Sequence, residues 1–477
     1  MSRRNLGATL TGNSEKTALI DLSTPAAAQY SFDQLDALIN GFAASLNPTR
    51  GQRIGLLAAN SAAFVTTLFG IMRAGGVAVP INTKFPDATV SYVIQDAELS
   101  DMYADEANQV RLTDGHPLAL VTAADYNAIE PQHGESGLVL YTSGSTGTPK
   151  GVELSHDSQW AMVERLQKPL GGATGIIAAP LYHMNGLLFL MSLFAGKGTV
   201  VLMPRFEARA YLQAIHDHRV NIITGVPTML SLMLQERDLI ESLDLSSVMA
   251  IQIGSAPLSE TIIEQVNTLF PNARLSNGYG TTEAGAGMFG PHPDGIRVPT
   301  ISLGYPQPHV DVRLVGRDSE SEGVLEVRTP AAMNRYLNLP EKTSEKMSTD
   351  GWINTGDIMR RDEHGFYYFV GRDDDMFNCG GENVYPGEVE RILEKDARIQ
   401  ECCVVPVADD IKGQLPVVFV VTAAGQVISE DEVKTVALEH APAYMHPRRV
   451  FFLDSMPLAG TNKIDRHVLT QQANESR

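Results

Sequence analysis

The stretch YTSGSTGTPKG, from Tyr141 to Gly151, gathers five small hydroxyl residues, three glycines and one lysine within eleven positions. Backbone N–H groups, hydroxyls and an ammonium can together wrap oxyanions. A polyphosphate is the ligand that such a loop favours. The alternative is a flexible surface turn, since Ser, Thr and Gly are also common in turns.

The stretch is not the phosphate loop of P-loop NTPases. That loop requires G-x-x-x-x-G-K-[ST] between a strand and a helix, whereas here Pro149 precedes Lys150 and Gly151 follows it. The flanking segments GLVLY and GVELS both have the apolar pattern of strands, and Ser155 can cap a later helix. We therefore predict a loop that joins two strands and exclude a Walker-type site.

Four further segments support the interpretation of the hydroxyl-rich loop as a phosphate-binding loop. They are NGYGTTEAG (277–285), GWINTGDI (351–358), GRDDDMFNCGGENVYPGEVE (371–390) and PLAGTNKIDR (457–466). With the loop, they resemble in order the motifs of the adenylate-forming superfamily, which includes acyl- and aryl-CoA ligases, peptide-synthetase adenylation domains and luciferases. The resemblance extends over roughly residues 20 to 470, nearly the whole chain.

The resemblance implies activation of a carboxylic acid in two steps. The carboxylate attacks the α-phosphate of ATP to form an acyl adenylate, and a thiol then displaces AMP. ATP, Mg²⁺ and coenzyme A are the implied cofactors. The positions that match nucleotide-binding ones are Thr142, Ser143, Gly144, Ser145, Thr146, Gly147, Thr148, Lys150, Gly254, Ser255, Ala256, Pro257, Asn277, Gly278, Tyr279, Gly280, Thr281, Asp357 and Arg372.

The resemblance also implies catalytic residues. Thr282 and Glu283 match positions beside the α-phosphate, and Glu283 is the matching metal-binding carboxylate. Lys463 matches the lysine that brings the two anions together, although Asn462 stands where the family usually has glycine. Each also has a structural alternative, because exposed glutamates and surface lysines are common.

An acid pocket and a coenzyme A channel follow from the same resemblance. His183 matches a position that lines the acid site in aryl-CoA ligases, although a lone histidine is more often structural. The other predicted pocket residues are Asn185, Gly186, Val226, Thr228, Gly278 and Met288. For coenzyme A, Lys84 matches a basic position near the nucleotide phosphate, and Gly380 and Gly381 would let the pantetheine arm pass close to the backbone.

The elements that must position these residues alternate between helical and strand patterns up to about residue 370. SFDQLDALINGFAASL begins at Ser31, a suitable N-cap, while RIGLLAA, VAVPIN, VNIITGVP and MAIQIGS have the apolar pattern of buried strands. Such alternation predicts α/β layers with largely parallel sheets. From about Gly290 to Gly371 short strands and turns predict an antiparallel or barrel-like β section.

The polar stretch RDDDMFNCGGEN has the composition of a linker, and an α+β unit of about a hundred residues follows it. We therefore predict an AMP-binding domain over 1–371, a hinge over 372–375 centred on Asp374, and a mobile C-terminal domain over 376–477. Rotation about Asp374 would exchange Lys463 for the coenzyme A channel. We also predict that few contacts resist backbone change at Asp374.

Bulk composition excludes several classes of function. The 37 basic and 56 acidic residues give a net charge of −19, which disfavours nucleic acids and anionic membranes as partners. Three cysteines form no disulfide framework, and no secretory signal or membrane span is evident, so a cytoplasmic location is expected. Whether the chain is a monomer or a homodimer stays open.

The sequence therefore predicts an AMP-forming acyl- or aryl-CoA ligase. Aromatic acids are favoured, because His183 and the glycine-rich segment GYGTTEAGAGMF leave room for a planar ring. The alternatives are a medium-chain fatty acyl-CoA ligase and an adenylating enzyme that loads a carrier-protein thiol. A third alternative, from another class, is a catalytically silent nucleotide-binding regulatory protein.

Overall fold

The computed structural model describes residues 4–12, 14–46, 50–123, 125–142, 148–254, 260–319, 321–460 and 462–476. Within these ranges the fold has the predicted α/β class, with a large N-terminal domain and a smaller C-terminal one. One mainly parallel sheet has the strand order Arg274–Gly278, Ala250–Gly254, Ile222–Gly225, Thr174–Ile177, Thr199–Leu202, Thr17–Asp21 and Ala28–Ser31. The last two strands pair antiparallel.

A second sheet has the strand order Arg335–Tyr336, Lys150–Ser155, Ser136–Thr142, Val77–Pro80, Arg53–Leu57, Asp101–Ala104 and His116–Pro117. Its antiparallel pair Ser136–Thr142 and Lys150–Ser155 flanks the hydroxyl-rich loop, as predicted. The Ser155 hydroxyl accepts a hydrogen bond from Ser158 N and caps the next helix, which confirms its predicted role.

Helices cover the faces of the sheets. In the large domain they are Phe32–Ser45, Ala62–Arg73, Asp87–Asp96, Glu106–Gln109, His156–Leu166, Met184–Ala195, Ala208–Asp217, Pro227–Gln235, Arg237–Ser242, Glu260–Leu269 and Pro340–Lys346, with a 3-10 turn at Leu6–Ala8. Ser31 starts the first of them through a capping box with Gln34. Met184–Ala195 is apolar nearly all round, so it is buried between layers.

The predicted β section between the layers and the hinge is antiparallel. Four strands, Asp311–Ser319, Glu322–Arg328, Ile353–Arg361 and Tyr367–Arg372, pair in that order. Two short hairpins precede them, Gly280–Thr281 with Gly285–Ala286 and Phe289–Gly290 with Tyr305–Pro306. The register pairs Asp357 with Arg372 across adjacent strands, which brings their side chains together.

The C-terminal unit is an α+β layer with its own core. Its strands are Phe377–Cys379, Glu382–Val384, Ile399–Asp409, Gly413–Thr422 and Val450–Phe452, and its helices are Pro386–Leu393, Glu430–His440 and Arg466–Glu475. The predicted linker is therefore shorter than its composition suggests, because residues 377–384 form a hairpin that joins this sheet. None of the helices in the described part of the chain is long and apolar enough to cross a membrane.

Candidate active site

A cavity of about 1680 Å³ lies where the parallel strands Ile222–Gly225, Ala250–Gly254 and Arg274–Gly278 end. The carboxyl ends of neighbouring parallel strands form the usual ligand crevice of open α/β sheets. The antiparallel sheet and the C-terminal unit close its other sides. Predicted residues that line the cavity are Thr142, Thr148, Lys150, His183, Asn185, Val226, Thr228, Gly254, Asn277, Gly278, Tyr279, Gly280, Thr281, Thr282, Glu283, Asp357, Arg372, Asp374 and Lys463.

The remaining predicted nucleotide residues lie outside the described part of the chain. They are Ser143, Gly144, Ser145, Thr146, Gly147, Ser255, Ala256 and Pro257.

Asp357 is a buried carboxylate at the centre of the cavity. Its Oδ2 accepts a hydrogen bond from the Tyr279 hydroxyl, and its Oδ1 lies 3.5 Å from Arg372 Nη1. Burial raises the pKa of Asp357, while Arg372 and the Tyr279 hydrogen bond oppose that rise. This carboxylate can accept hydrogen bonds from a diol such as a ribose, and the Tyr279 ring offers an aromatic face beside it.

Glu283 is held at a second position on the cavity wall. Its backbone oxygen accepts a hydrogen bond from Met333 N at 2.7 Å, and its Oε1 accepts one from the Tyr336 hydroxyl at 2.7 Å. Lys150 Nζ lies 5.0 Å from the centre of the Tyr336 ring. A carboxylate and a cation therefore meet at one tyrosine, which the sequence analysis did not identify.

Lys463 reaches the cavity from a tight turn of the C-terminal unit. Ala459 N donates to Lys463 O at 2.8 Å, and Asn462 has a φ of +59°, in the left-handed region. Asparagine and glycine are the residues that adopt this conformation most readily, so Asn462 can replace the glycine usual in the family. Burial lowers the pKa of Lys463, Arg372 lowers it further, and Asp357 opposes both.

His183 lines the cavity close to Lys463, immediately before the helix Met184–Ala195. Burial, together with the positive charge of Lys463, lowers the pKa of His183 to about 4. The imidazole is therefore neutral at pH 7. Its Nε2 is buried and has no hydrogen-bond partner in the described part of the chain. A neutral histidine with an unused ring nitrogen suits contact with an acid group.

Two predicted pocket residues do not line the cavity formed by the described residues. Gly186 lies on the buried side of its helix, where an added Cβ would be 3.0 Å from the carbonyl oxygen of Ala179. Met288 is buried with Leu303 and Leu325 in the core of the antiparallel sheet. Both were predicted as pocket residues from the resemblance, but Gly186 lies on the buried side of its helix and Met288 in the core of the antiparallel sheet.

The three predicted coenzyme A residues also lie away from this cavity. Lys84 is exposed, in the turn before the helix Asp87–Asp96. Gly380 and Gly381 form the turn between Phe377–Cys379 and Glu382–Val384, and both have positive φ values, of 64° and 96°. The left-handed backbone explains the two glycines without a ligand.

Asp374 is more strongly held than predicted. Both of its carboxylate oxygens accept hydrogen bonds from Arg372, at 2.7 Å from Nε and 3.0 Å from Nη2, and this contact raises the pKa of Arg372. The expectation of few contacts at this position is therefore wrong for the side chain. Polar linker composition did not reveal a bidentate pair two residues apart.

The cavity contains a further cation that the sequence analysis missed. Lys346, the last residue of the helix Pro340–Lys346, lines the cavity, and its Nζ donates a hydrogen bond to Thr355 O at 2.9 Å. No motif contains Lys346. The only sequence signal is its place eleven residues before Asp357 in a segment that precedes a matched motif.

The C-terminal unit also contacts the helix Pro227–Gln235, whose first turn lines the cavity. The Thr228 hydroxyl donates to Glu401 Oε1 at 3.3 Å, and Gln400 Nε2 donates to the Ser231 hydroxyl. Burial raises the pKa of Glu401 to about 7. These contacts lie outside every motif and were not predicted.

Comparison with known proteins gives two family matches. Residues 7–337 match the model described as AMP-binding enzyme, and residues 388–463 match the AMP-binding enzyme C-terminal domain.

Curated relatives match over most of their length. A feruloyl-CoA synthase of Amycolatopsis sp is 33% identical over 447 residues, covering 90% of each chain. A fatty acid–[acyl-carrier-protein] ligase, ScoC, of Streptomyces coeruleorubidus is 32% identical over 459 residues, covering 90% of this chain and 87% of its own. The solved structure of the anthranilate CoA ligase AuaEII with anthranoyl-AMP superposes with a TM-score of 0.88 at 25% identity, covering 100% of this chain and 98% of that one.

Proposed function

We propose, from the premise that the chain belongs to the AMP-binding enzyme family, that it is an AMP-forming acid–thiol ligase that converts an aromatic carboxylic acid to its coenzyme A thioester. The observation that supports this best is one cavity lined by Lys463 of the C-terminal unit and by Asp357 and Glu283 of the large domain. Such a cavity suits two substrates that react with each other, a nucleotide with a diol and a phosphate chain, and a carboxylic acid.

In the first step a carboxylate oxygen of the acid attacks the α-phosphorus of ATP. A new O–P bond forms, the bond to the β-phosphate breaks, and pyrophosphate leaves. Asp357 accepts hydrogen bonds from the ribose hydroxyls, and Tyr279 packs against the adenine. Lys150, Thr142 and Thr148 bind the departing phosphates, while Thr282 lies beside the α-phosphate.

Lys463 offsets the repulsion between the two anions in this step. Coulomb repulsion rises as water leaves the site, and an ammonium contacting both anions acts most strongly where charge accumulates at phosphorus. The neutral His183 contacts the acid without adding charge. Val226, Thr228 and Asn185 form the walls of the acid pocket together with the backbone of Gly278.

In the second step the thiol sulfur of coenzyme A attacks the acyl carbon. A C–S bond forms, the C–O bond to the phosphate breaks, AMP leaves, and the thiol proton passes to solvent. We assign the domains to 1–371 and 376–477, with Asp374 as the centre of a hinge over 372–375. Rotation there would withdraw Lys463 and bring Gly380 and Gly381 towards the thiol, with Lys84 near the nucleotide phosphate of coenzyme A.

Magnesium fits the residues present. Tyr336 donates to one oxygen of Glu283, which lines the same cavity as Thr142, Thr148 and Lys150. No cluster of three or more His, Cys, Asp or Glu side chains suited to a metal occurs among the described residues. A single carboxylate plus phosphate oxygens and water is how proteins commonly hold Mg²⁺. When bound, Mg²⁺ would neutralise charge on the phosphates, with Glu283 as its protein ligand.

We further propose a cytoplasmic location, supported by Cys379, Cys402 and Cys403, which are all buried and unpaired. A homodimer is compatible with this function and is not required by it, since one chain supplies every residue assigned above.

A pyrophosphate-release screen tests the function. Benzoates, hydroxycinnamates, saturated fatty acids and dicarboxylates are each supplied with ATP and Mg²⁺, with coenzyme A present or absent. We expect acid-dependent release with an aromatic acid and thioester only with coenzyme A. Thioester formation on a carrier protein but not on coenzyme A would favour the carrier-protein alternative, which the similarity to ScoC motivates. Absence of release with every acid would refute the proposal.

A further inference from the structure

The cations of the cavity stand out in a chain whose net charge is −19. The lysines and arginines that line it are Lys150, Lys342, Lys346, Arg360, Arg372, Arg391, Lys395, Lys463 and Arg466. Arg372 has close carboxylate partners in Asp374 and Asp357. Lys346 differs from Arg372, because its Nζ donates a hydrogen bond to an uncharged group, the carbonyl oxygen of Thr355.

The position of Lys346 is fixed from both ends. Its backbone ends the helix Pro340–Lys346, and its Nζ donates to Thr355 O, two residues before Asp357. A Cβ placed on Gly356 would be 4.0 Å from Lys346 Nζ and 3.5 Å from Arg372 Nη2, so the two cations approach the same glycine. Gly356 has a φ of +77° and no side chain that would separate them.

Four charged groups of the cavity act on Lys346. Burial lowers the pKa of Lys346, and Arg372 and Lys150 lower it further, while Glu283 and Asp357 oppose them. A half-buried ammonium beside two other cations is stabilised when a polyanion enters the cavity.

The neighbours also indicate which part of the nucleotide is within reach. Asp357 marks the diol end of the cavity, and Lys463 covers the place where the acid and the α-phosphate meet. The helix of Lys346 contacts Tyr336 through Thr343, and Glu283 and Lys150 meet at that tyrosine on the side assigned to the departing phosphates. On this basis, and resting on the proposed function, we infer that Lys346 is an additional phosphate-binding residue that contacts the β- and γ-phosphates of ATP and then the pyrophosphate.

The test compares nucleotide affinities, which can be measured without knowing the acid. In Lys346→Met, which keeps the length of the side chain, we expect the Kd for Mg·ATP to rise about 10- to 100-fold, the effect of losing one charged hydrogen bond. The Kd for AMP should stay within about twofold of wild type, because AMP lacks the phosphates concerned. Lys346→Arg should recover most of the ATP affinity.

Lys342 on the same helix provides a matched control. It also lines the cavity, but its Nζ pairs with Glu345 at 2.7 Å and its side chain is 53% exposed. Lys342→Met removes the same charge from the same helix and should leave the Kd for Mg·ATP within about twofold. If ATP affinity falls equally in both variants, the effect is one of net charge and the inference is refuted.

A purely structural role gives a different pattern. If Lys346 only held the Thr355 carbonyl in place, its loss would displace Asp357 and weaken AMP and ATP alike. Equal weakening, or unchanged ATP affinity, would therefore refute the inference.

The proposed function fails separately. Wild-type protein that binds ATP but releases no pyrophosphate with any acid would refute the ligase, while the ratio of ATP to AMP affinity would still decide the role of Lys346. Wild-type protein that binds no ATP would refute both.

Discussion

Replacing Lys463 with alanine removes the cation assigned to the meeting point of the acid and the α-phosphate. Its pKa is lowered chiefly by burial, so its charge acts in a partly dehydrated site. An ammonium about 4 Å from an anion gains about 4 kcal/mol at an effective dielectric constant of about 20. Since each 1.36 kcal/mol changes a rate tenfold, adenylation should fall about 10²- to 10³-fold.

The two half-reactions are assayed separately. Acid-dependent ATP–pyrophosphate exchange measures adenylation, and release of thioester from chemically synthesised acyl adenylate plus coenzyme A measures the second step. The second step should stay near the wild-type rate in Lys463→Ala, because a thiol carries no anion that must approach a phosphate. Lys463→Arg keeps the charge and controls for loss of packing. Equal loss in both steps, or in neither, would show that Lys463 does not have this role.

The remaining predictions concern the hinge, the lysine turn and the domain contact. Asp374→Pro should impair thioester formation more than adenylation, because proline fixes φ. Asp374→Ala is its control, because it loses the same pair with Arg372. Equal effects of the two variants on both steps would exclude a hinge. Asn462→Ala should slow adenylation, since alanine in the left-handed region costs about 1 kcal/mol, whereas Asn462→Gly should not; identical rates for both would contradict the argument. Burial raises the pKa of Glu401 from 4.5 to about 7, against the hydrogen bond from Thr228, so burial of Glu401 at this contact is favoured by its protonation and is opposed by up to about 3 kcal/mol as pH increases from about 4.5 through 7. Glu401→Gln still accepts from Thr228 but does not titrate, and its adenylation rate should depend less on pH over this range; a profile identical to wild type would exclude the effect.

The sequence was sufficient to predict those elements that depend on residues close together in the chain. Apolar strands alternating with amphipathic helices predicted the parallel sheets, and Ser31 and Ser155 marked helix starts because N-caps depend on residues within one turn. Motif matches identified Asp357, Glu283 and Lys463, which line one cavity.

The parts that were missed depend on long-range contacts. Lys346 is functional in our proposal only because a helix end is packed beside Thr355, and neither the helix end nor the carbonyl has a distinctive sequence. Met288 and Gly186 lie next to lining residues in the chain, but Met288 packs in the core of the antiparallel sheet and Gly186 lies on the buried side of its helix. Side-chain direction at such positions is set by tertiary packing and cannot be obtained from proximity in the sequence.

The helix Pro227–Gln235 has a consequence for how the two domains communicate. Its first turn lines the cavity, while the Thr228 hydroxyl donates to Glu401 and the Ser231 hydroxyl accepts from Gln400 of the C-terminal unit. If the acid binds at this turn, the helix contacts both the acid and the C-terminal unit, and thermodynamic reciprocity requires acid binding and domain contact to strengthen or weaken each other by the same factor. An acid that packs well against this helix should stabilise the C-terminal unit in the orientation that places Lys463 in the cavity. A poorly fitting acid should let the C-terminal unit rotate away before adenylation. Discrimination among acids would then operate on domain orientation as well as on pocket shape, and in Gln400→Ala the acids should differ less in adenylation rate than they do in the wild-type chain.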